Sequence, residues 1–286
     1  MRDAAREHRV PFRGVFLVKP AQVVGTLGFS EPMAARPKFH ANDTSRDLLN
    51  VVPRAVPIED ARQRAQPPSL DIEGFCLRPH ASRVRDFRDP DQIERLHLEE
   101  IRQLLLEVSG ADRVDVNPRS VLRFAERSAE SGAHNNSRPA RFVHVDVSDA
   151  TAQQFYERAR PGKPVRRAAQ YNAWRVLTPP PQDVPLAVCD ARSLTRQELI
   201  AADAVFDQDG AIAFSFEAWL LRHDPRQRWA YFSNMNPGEV LLFKTHDTDP
   251  GVAHCVPHGA FDDPQCPADV DPRASIEMRG IAYWFA

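Results

Sequence analysis

The sequence predicts an α+β fold that is rich in strands, with a barrel or a sandwich holding the site. One long amphipathic helix precedes a C-terminal half built of many short apolar runs. The 286 residues include 25 prolines against 12 glycines, and many prolines favour loops and strand edges over long helices. A chain of this length forms one large domain or two smaller ones, with a core large enough for an enzyme.

The composition argues against several classes of function. Lys and Arg number 37 against 39 Asp and Glu, a formal net charge of −2. We therefore expect no strong field that would draw the chain onto nucleic acid or an acidic membrane surface. No stretch approaches about 18 apolar residues, and the N-terminal residues lack the apolar core of a signal peptide. The four cysteines include no C-x-x-C pair, which favours a reducing compartment. These observations predict a cytoplasmic protein.

The first 67 residues show no sustained hydrophobic period, since charges and prolines alternate with short apolar runs. We predict an N-terminal arm or extension over 1–67, with a possible short strand at Arg13–Val18. The pattern becomes regular from Ser69, so residues 68–286 are predicted as the main domain.

The clearest helix is predicted over residues 89–112. Asp89 or Asp91 can cap its start, and Gly110 ends it. An apolar stripe follows one side of this helix: Ile93, Leu96, Ile101, Leu104, Leu105 and Val108.

The remaining elements are mostly short strands. Two further helices are predicted at 151–160 and 194–202. Apolar and β-branched runs predict strands at 70–80, 120–126, 141–148, 169–177, 185–190, 214–223, 227–234, 239–247 and 274–286.

One predicted strand, FVHVDVS at 142–148, contains two polar residues that need a reason to be there. Residues two apart on a strand project from the same face, so His144 and Asp146 can converge on one point. Alone, the H-x-D pattern is weak, because structural hydrogen bonding explains it more readily than a metal site does.

A metal site with two histidines and one carboxylate needs another histidine from elsewhere in the chain. The late candidates are His223, His246, His254 and His258. We favour His258, which stands just before a loop and the final strand. His246 lies in a predicted turn, and His254 has no obvious partner in the sequence.

The final strand begins with Arg273-Ala274-Ser275. In an extended chain the guanidinium and the hydroxyl lie on one face and can grip a carboxylate with a supporting hydrogen bond. Arg279 points to the same face and competes for this role. A surface salt bridge is the alternative reading for either arginine.

The order H-x-D, His, R-x-S is the order used by Fe(II)/2-oxoglutarate oxygenases on a double-stranded β-helix. The strings YNAWRVL, EVLLFKTHDTDP, VPHGAFDDP and PRASIEMRGIAYW resemble the asaB-type hydroxylase/desaturase family, which is related to the P8 component of cephamycin 7-alpha methoxylation. The resemblance covers roughly 68–286. The family's final block reads closer to RESIE, so Ala274 departs from it. Gly259 replaces the threonine of the family's HTAF string.

The resemblance implies a double-stranded β-helix, jelly-roll or cupin-like, with flanking helices over 68–286. It implies Fe(II) bound by His144, Asp146 and His258, with 2-oxoglutarate as cosubstrate and O2 as oxidant. The distal carboxylate of 2-oxoglutarate would be held by Arg273 and Ser275, or by Arg279.

Three residues around the NAWR string are further expected contacts of the cosubstrate or of the metal ligands: Tyr171, Asn172 and Arg175. The alternative is that Trp174 belongs to the core and Asn172 caps a turn. The expected substrate is a small natural product that is hydroxylated or desaturated, with succinate and CO2 as coproducts. A homodimer is possible.

Two other functions stay open at this point. His254, Cys255, His258 and Cys266 lie close together in the chain and could form a zinc site. Alternatively, the protein is a non-catalytic, cupin-like binding module.

Overall fold

The computed structural model describes residues 21–159, 161–208 and 211–286. Strands dominate this part of the chain and helices are few, as predicted. The strands are β1 (Gln22–Ser30), β2 (Lys38–His40), β3 (Val51–Asp60), β4 (Phe75–Pro79), β5 (Arg113–Val116), β6 (Val121–Phe124), β7 (His144–Val145), β8 (Val165–Val176), β9 (Leu186–Cys189), β10 (Leu199–Gln208), β11 (Ala211–Leu221), β12 (Trp229–Tyr231), β13 (Glu239–Asp247), β14 (His258–Ala260) and β15 (Ala274–Phe285).

The strands form two sheets. The nine-stranded sheet has the order β1-β3-β12-β9-β14-β7-β11-β10-β2. The six-stranded sheet runs β4-β13-β8-β15-β5, with β6 also paired to β15. Apolar residues of both sheets pack in one shared cluster, which includes Phe75, Trp174, Val188 and Phe243. The sheets are therefore held together by a common core.

The predicted long helix exists, but a π-helical segment interrupts it. It consists of α1 (Pro90–Gln92), a π-helix at Ile93–His97 and α2 (Leu98–Ser109). The Asp89 side chain accepts hydrogen bonds from the first turn, and Gly110 ends α2 with a positive φ of 65°. The buried face of α2 packs on the six-stranded sheet.

The helix predicted at 151–160 is α3 (Asp149–Ala159), and it packs between β8, β11 and β15. The helix predicted at 194–202 is wrong. Its first part is a short 3-10 turn at Arg196–Glu198, and β10 follows directly. The other 3-10 turns are Thr44–Arg46, Ala61–Gln63 and Ala191–Ser193.

The expectation of an irregular segment before residue 68 is wrong for residues 21–67. β1 and β3 pair antiparallel over their whole lengths, and β3 continues into the sheet through β12. β1 alternates between exposed and buried side chains over its first half, the pattern of a strand with one face on the core. The possible strand at Arg13–Val18 lies outside the described residues, and a boundary at residue 67 stays a prediction.

Among the described residues, no helix has both the length and the apolar character needed to span a bilayer.

Candidate metal centre

His144, Asp146 and His258 come together although His258 is distant in the chain. His144 opens β7, His258 opens β14, and the two strands are neighbours with these two residues in register. Asp146 follows directly after β7. Strand pairing therefore brings together the residues that the sequence analysis proposed as ligands.

The possible ligand atoms of the three side chains all lie within 4.8 Å of one another. Nε2 of His144 is 3.7 Å from Oδ1 of Asp146, and the two imidazole centroids are 4.4 Å apart. Both histidines are almost fully buried. These separations suit three ligands on one face of a single ion.

The backbone orients both imidazoles in the same way. Nδ1 of His144 donates to the carbonyl of Phe142 at 3.2 Å, and Nδ1 of His258 donates to the carbonyl of Val256 at 3.2 Å. In each neutral ring the proton then lies on Nδ1, and the lone pair of Nε2 stays available. Ligating histidines have this arrangement, with the second ring nitrogen bound to a carbonyl or carboxylate.

The electrostatics of the cluster keep its side chains in their ligating forms. Burial, then the nearby His258, lowers the pKa of His144 to about 3. Burial also lowers the pKa of His258. Burial by itself would raise the pKa of Asp146, but the opposing contributions, led by the cation of Arg279, make the net shift downward. Two neutral imidazoles and one carboxylate are the protonation states that a divalent cation requires.

Asp146 is held by residues of the opposite sheet. Nδ2 of Asn172 donates to its Oδ2 at 2.5 Å, and Nη2 of Arg279 donates to its Oδ1 at 3.2 Å. Asn172 and Arg279 are direct neighbours on the paired strands β8 and β15. Asn172 was expected to contact either the cosubstrate or a metal ligand, and Arg279 was expected as a candidate for the carboxylate of 2-oxoglutarate. The structure places both against the proposed metal ligand Asp146.

Arg273, Ser275 and Arg279 share one face of the β15 segment, as the sequence analysis predicted. Arg273 and Ser275 are buried, and Nη1 of Arg273 donates to Oγ of Ser275. Burial, then the cation of Arg123, lowers the pKa of Arg273 to about 10. Arg273 lines one small cavity together with His144 and His258.

Two charged residues of the same region were missed by the sequence analysis. Glu277 stands between Arg273 and Arg279 in the sequence, and its side chain is buried. Its Oε1 lies 2.7 Å from Nη2 of Arg279. Burial raises its pKa. Side chains alternate between the two faces of β15, and Glu277 is an even number of positions from both arginines. This spacing was the signal that Glu277 lies on the same face as they do.

Arg123 on β6 is the second missed residue. It lines the small cavity of Arg273 and a further cavity that His144 and Asp146 also border. Its Nη1 donates to the carbonyls of Asn136 and Arg138. Its pKa is lowered by burial. A cation inside the short apolar strand 121–124 was the available signal.

Tyr171 and Arg175 lie on the other side of β8 from Asn172. Arg175 is buried, and its Nη1 donates to the carbonyls of His80 and Pro237. Tyr171 packs in the core cluster that includes α2. Successive strand residues point to opposite faces, so the sequence analysis was wrong to direct these side chains at the same point as Asn172.

A second, larger cavity of about 370 Å³ opens beside Asp146. It is bounded by the cluster residue Asp146, by Asn172 and Arg279, and by an aromatic wall of Phe155, Phe206, Phe214 and Phe216. The rings of Phe206 and Phe214 are stacked with centroids 4.5 Å apart. This cavity offers apolar surface next to the candidate ligands.

The zinc site considered in the sequence analysis does not form. His258 belongs to the cluster of His144 and Asp146, whereas His254 lies with Asp149 and His246. Cys255 is buried, and burial raises the pKa of its thiol to about 12. His254 and His258 thus belong to different clusters within the described part of the chain.

The fold and the site together define a class: a β-rich protein with two histidines and one carboxylate between two sheets, the donor set of non-haem iron oxygenases. Comparisons with known proteins agree. A family model described as "Oxidoreductase/YMDC permease-like domain" matches residues 27–283. The hydroxylase/desaturase efuI of Hormonema carpetanum is 31% identical over 250 residues, covering 80% of this chain and 83% of that protein.

The chain therefore belongs to this family of hydroxylase/desaturase oxidoreductases, and the resemblance found in the sequence is confirmed. The hydroxylase/desaturase asaB of Aspergillus flavus is 38% identical over 128 residues, which cover 41% of this chain and 56% of that protein. The Fe(II)/2-oxoglutarate-dependent dioxygenase nvfI of Aspergillus novofumigatus is 28% identical over 256 residues, covering 82% of this chain and 85% of that protein.

A solved structure shares the fold. It is described as the iron and alpha-ketoglutarate-dependent endoperoxidase NvfI in a different conformation, and it matches with a TM-score of 0.76 at 23% identity. The match covers 94% of this chain and 100% of that one.

Proposed function

We propose that the protein is a non-haem Fe(II)/2-oxoglutarate-dependent oxygenase that hydroxylates or desaturates a small natural product. One observation carries this proposal: two buried imidazoles offer Nε2 to the same point as the Asp146 carboxylate. The family membership supports it, because several relatives carry the names hydroxylase/desaturase or dioxygenase.

In this proposal Fe(II) is bound by Nε2 of His144, a carboxylate oxygen of Asp146 and Nε2 of His258. Three protein ligands on one face leave positions for a cosubstrate and O2. Asn172 and Arg279 hold the two oxygens of Asp146 in place. Such outer contacts fix the orientation of ligands and tune the metal.

We assign the distal carboxylate of 2-oxoglutarate to Arg273 and Ser275. Arg273 lines the same cavity as His144 and His258, and Ser275 lies beside it with a hydroxyl for a second hydrogen bond. Arg279 is the weaker candidate, because Asp146 and Glu277 already occupy its Nη2.

The substrate is proposed to lie in the larger cavity beside Asp146. The aromatic wall of Phe155, Phe206, Phe214 and Phe216 suits a compact apolar molecule rather than a charged one. This location would present a C–H bond close to the metal. Bound iron would supply the oxidation: for hydroxylation, substrate C–H, O2 and 2-oxoglutarate give the alcohol, succinate and CO2.

The core is proposed to be a double-stranded β-helix. A nine-stranded sheet and a six-stranded sheet enclose one site, and the fold likeness to NvfI supports the assignment. The proposed domain over 68–286 contains the site residues. β1 and β3 extend the nine-stranded sheet at one edge, and β2 pairs at the other edge.

We also propose a cytoplasmic location. Cys76, Cys189 and Cys255 are free thiols, which suits a reducing compartment. A homodimer remains a prediction.

The test is oxidation of 2-oxoglutarate without any known substrate. Fe(II)-loaded protein supplied with ascorbate should form succinate slowly in air, because ascorbate can give the two electrons that the absent substrate would otherwise supply to O2. Replacing Arg273 by Gln should raise the KM for 2-oxoglutarate at least about tenfold, since a charge-assisted pair to a carboxylate is lost. Arg83→Gln is the matched control. Arg83 is an exposed arginine that pairs with Glu100, and neither residue is near His144, Asp146 or His258 in the sequence. A wild-type protein that binds iron but forms no succinate would contradict the proposal.

A further inference from the structure

A second group of two histidines and one carboxylate lies outside the candidate centre. It consists of Asp149, His246 and His254, whose possible ligand atoms also lie within 4.8 Å of one another. The proposed oxygenase chemistry makes no use of these three residues.

Three separate segments supply the group. Asp149 is the first residue of α3, and His246 is the penultimate residue of β13. His254 lies in the loop between β13 and β14. The turn predicted around His246 is wrong, because His246 lies on β13. The sequence offered no obvious partner for His254, and the structure places it beside Asp149.

The separations fit one small cation. Nε2 of His254 is 3.1 Å from Oδ1 of Asp149, and Nε2 of His246 is 3.9 Å from the same oxygen. The imidazole centroids are 4.7 Å apart. Ligand atoms at about 2.0–2.1 Å from a tetrahedral zinc are separated by about 3.3 Å, so small side-chain shifts would close the site.

Each histidine is oriented by a contact at Nδ1. Nδ1 of His254 donates to the carbonyl of Asp247 at 2.9 Å. Nδ1 of His246 lies 2.9 Å from the hydroxyl of Tyr156, and that hydroxyl can in turn donate to the carbonyl of Ala168. In this chain of hydrogen bonds His246 donates from Nδ1, so both Nε2 lone pairs are directed at Asp149. The same arrangement orients ligating histidines elsewhere.

The site is buried on one side and open on the other. The side chain of His246 is 9% exposed, whereas those of Asp149 and His254 are 30% and 41% exposed. An ion can therefore enter from solvent and keep a water ligand.

We propose that Asp149, His246 and His254 bind a second divalent transition-metal ion, with Zn²⁺ as the best fit and water completing its coordination. Two imidazoles and one carboxylate form a borderline donor set that suits zinc, and a fourth position open to water is common in such sites. The proposal does not depend on the oxygenase assignment.

One neighbour competes with the ion. The guanidinium of Arg196 pairs with Oδ2 of Asp149, which leaves Oδ1 for the metal. The simpler alternative is that a protonated His254 pairs with Asp149 and no metal binds. The side chain of Arg196 is 66% exposed, so its removal can be tested with little effect on packing.

The second ion would affect the larger cavity beside the first site, because the residues that bind it are close in sequence to residues that line that cavity. Asp149 follows Asp146 by three residues, and Val147 between them lines the larger cavity. Phe155 of α3 belongs to the aromatic wall of that cavity. An ion held by α3 and β13 would fix this wall.

The experiment is zinc stoichiometry after chelator treatment and equilibrium dialysis against Zn²⁺. The wild type should retain two zinc ions per chain, one for each cluster. His254→Gln and Asp149→Asn should each retain one, and so should the first-cluster variant His258→Gln. His134→Gln is the matched control, since His134 is an exposed histidine outside both clusters, and it should retain two. Arg196→Gln should bind the second zinc severalfold more tightly.

Equal zinc contents in the wild type and His254→Gln would overturn the proposal. A failure of the oxygenase centre gives a different result, namely one zinc in the wild type that His254→Gln removes. A thermal measurement guards against misfolding: in the His258→Gln background Zn²⁺ should raise the Tm, and adding His254→Gln should abolish that rise. No zinc-dependent rise in the His258→Gln background would also contradict the second site.

Discussion

At the scale of single residues, the candidate centre depends on how the backbone directs two imidazoles. His144 and His258 each bind the carbonyl two positions earlier in the chain, at 3.2 Å. Both rings are therefore oriented by local geometry before any ion binds. Asp146 needs help from other strands, because its two oxygens are held by Asn172 and Arg279.

Removing one of these contacts should weaken metal binding. In Asn172→Ala the Oδ2 atom of Asp146 loses its donor, so the carboxylate becomes less well oriented. We expect Fe(II) affinity to fall about 10- to 100-fold. Anaerobic titration with Fe(II) measures it, and Asn50→Ala, at an exposed position, is the control. An unchanged affinity would show that Asn172 does not position the ligand.

The residues that the sequence could predict share one property, which is strand parity. The pairing of His144 with Asp146 and the common face of Arg273, Ser275 and Arg279 follow from alternation alone. The partners of these residues could not be predicted, because Asn172 meets Asp146 across two sheets. Alternation also implies that Arg175 cannot face Asp146 if Asn172 does, because the two residues are three positions apart on one strand. The sequence analysis did not apply this rule to Arg175.

At the scale of elements, the helix over 89–112 shows where local signals are sufficient. The Asp89 cap, the apolar stripe and Gly110 all lie within the segment, and the structure uses each of them. The segment 194–202 shows the opposite case. Its residues suit a helix, but Leu199–Gln208 pairs along its whole length with β11, and this non-local pairing outweighs local preference.

The helix over 89–112 should make the stability of the protein depend on pH. His97 is 1% exposed, and burial, then the cation of Arg175, lowers its pKa to about 4. As pH falls below about 6.5, the unfolded chain binds a proton that the folded chain refuses until about pH 4, so stability is lost on acidification.

Between about pH 7 and about pH 5 we expect this residue to account for a loss of about 2 kcal/mol in the free energy of unfolding. Urea unfolding of the wild type and His97→Gln at both pH values measures the difference. The variant should lose less stability over this interval. Parallel pH dependence in the two proteins would show that His97 is protonated in the fold.

At the scale of the whole molecule, the site exists because two sheets enclose it. The proposed ligands lie on or beside β7 and β14 of the nine-stranded sheet, and the residues that hold Asp146 lie on β8 and β15 of the other. The sequence predicted a β-rich fold, but the assembly of distant strands into sheets depends on contacts that no local pattern records.

The N-terminal strands should contribute to the stability of the whole molecule. Leu27 on β1 is fully buried in the cluster with Phe29 and Ile58, although the sequence analysis expected no regular structure there. Leu27→Ala should lower the free energy of unfolding by about 3 kcal/mol. Val24→Ala on the opposite face of β1 is the control, since Val24 is 62% exposed, and it should cost less than about 1 kcal/mol. Equal effects would mean that β1 is not part of the core.

The most direct test of the central claim is the visible absorption of the protein with Fe(II) and 2-oxoglutarate in the absence of oxygen. The wild type should develop a weak charge-transfer band that requires both additions. His223→Gln should keep the band, because the His223 ring contacts Phe29 rather than the cluster. His258→Ala should lose it. A band of full intensity in His258→Ala, or no band in an iron-loaded wild type, would contradict the proposal that His144, Asp146 and His258 hold one ferrous ion.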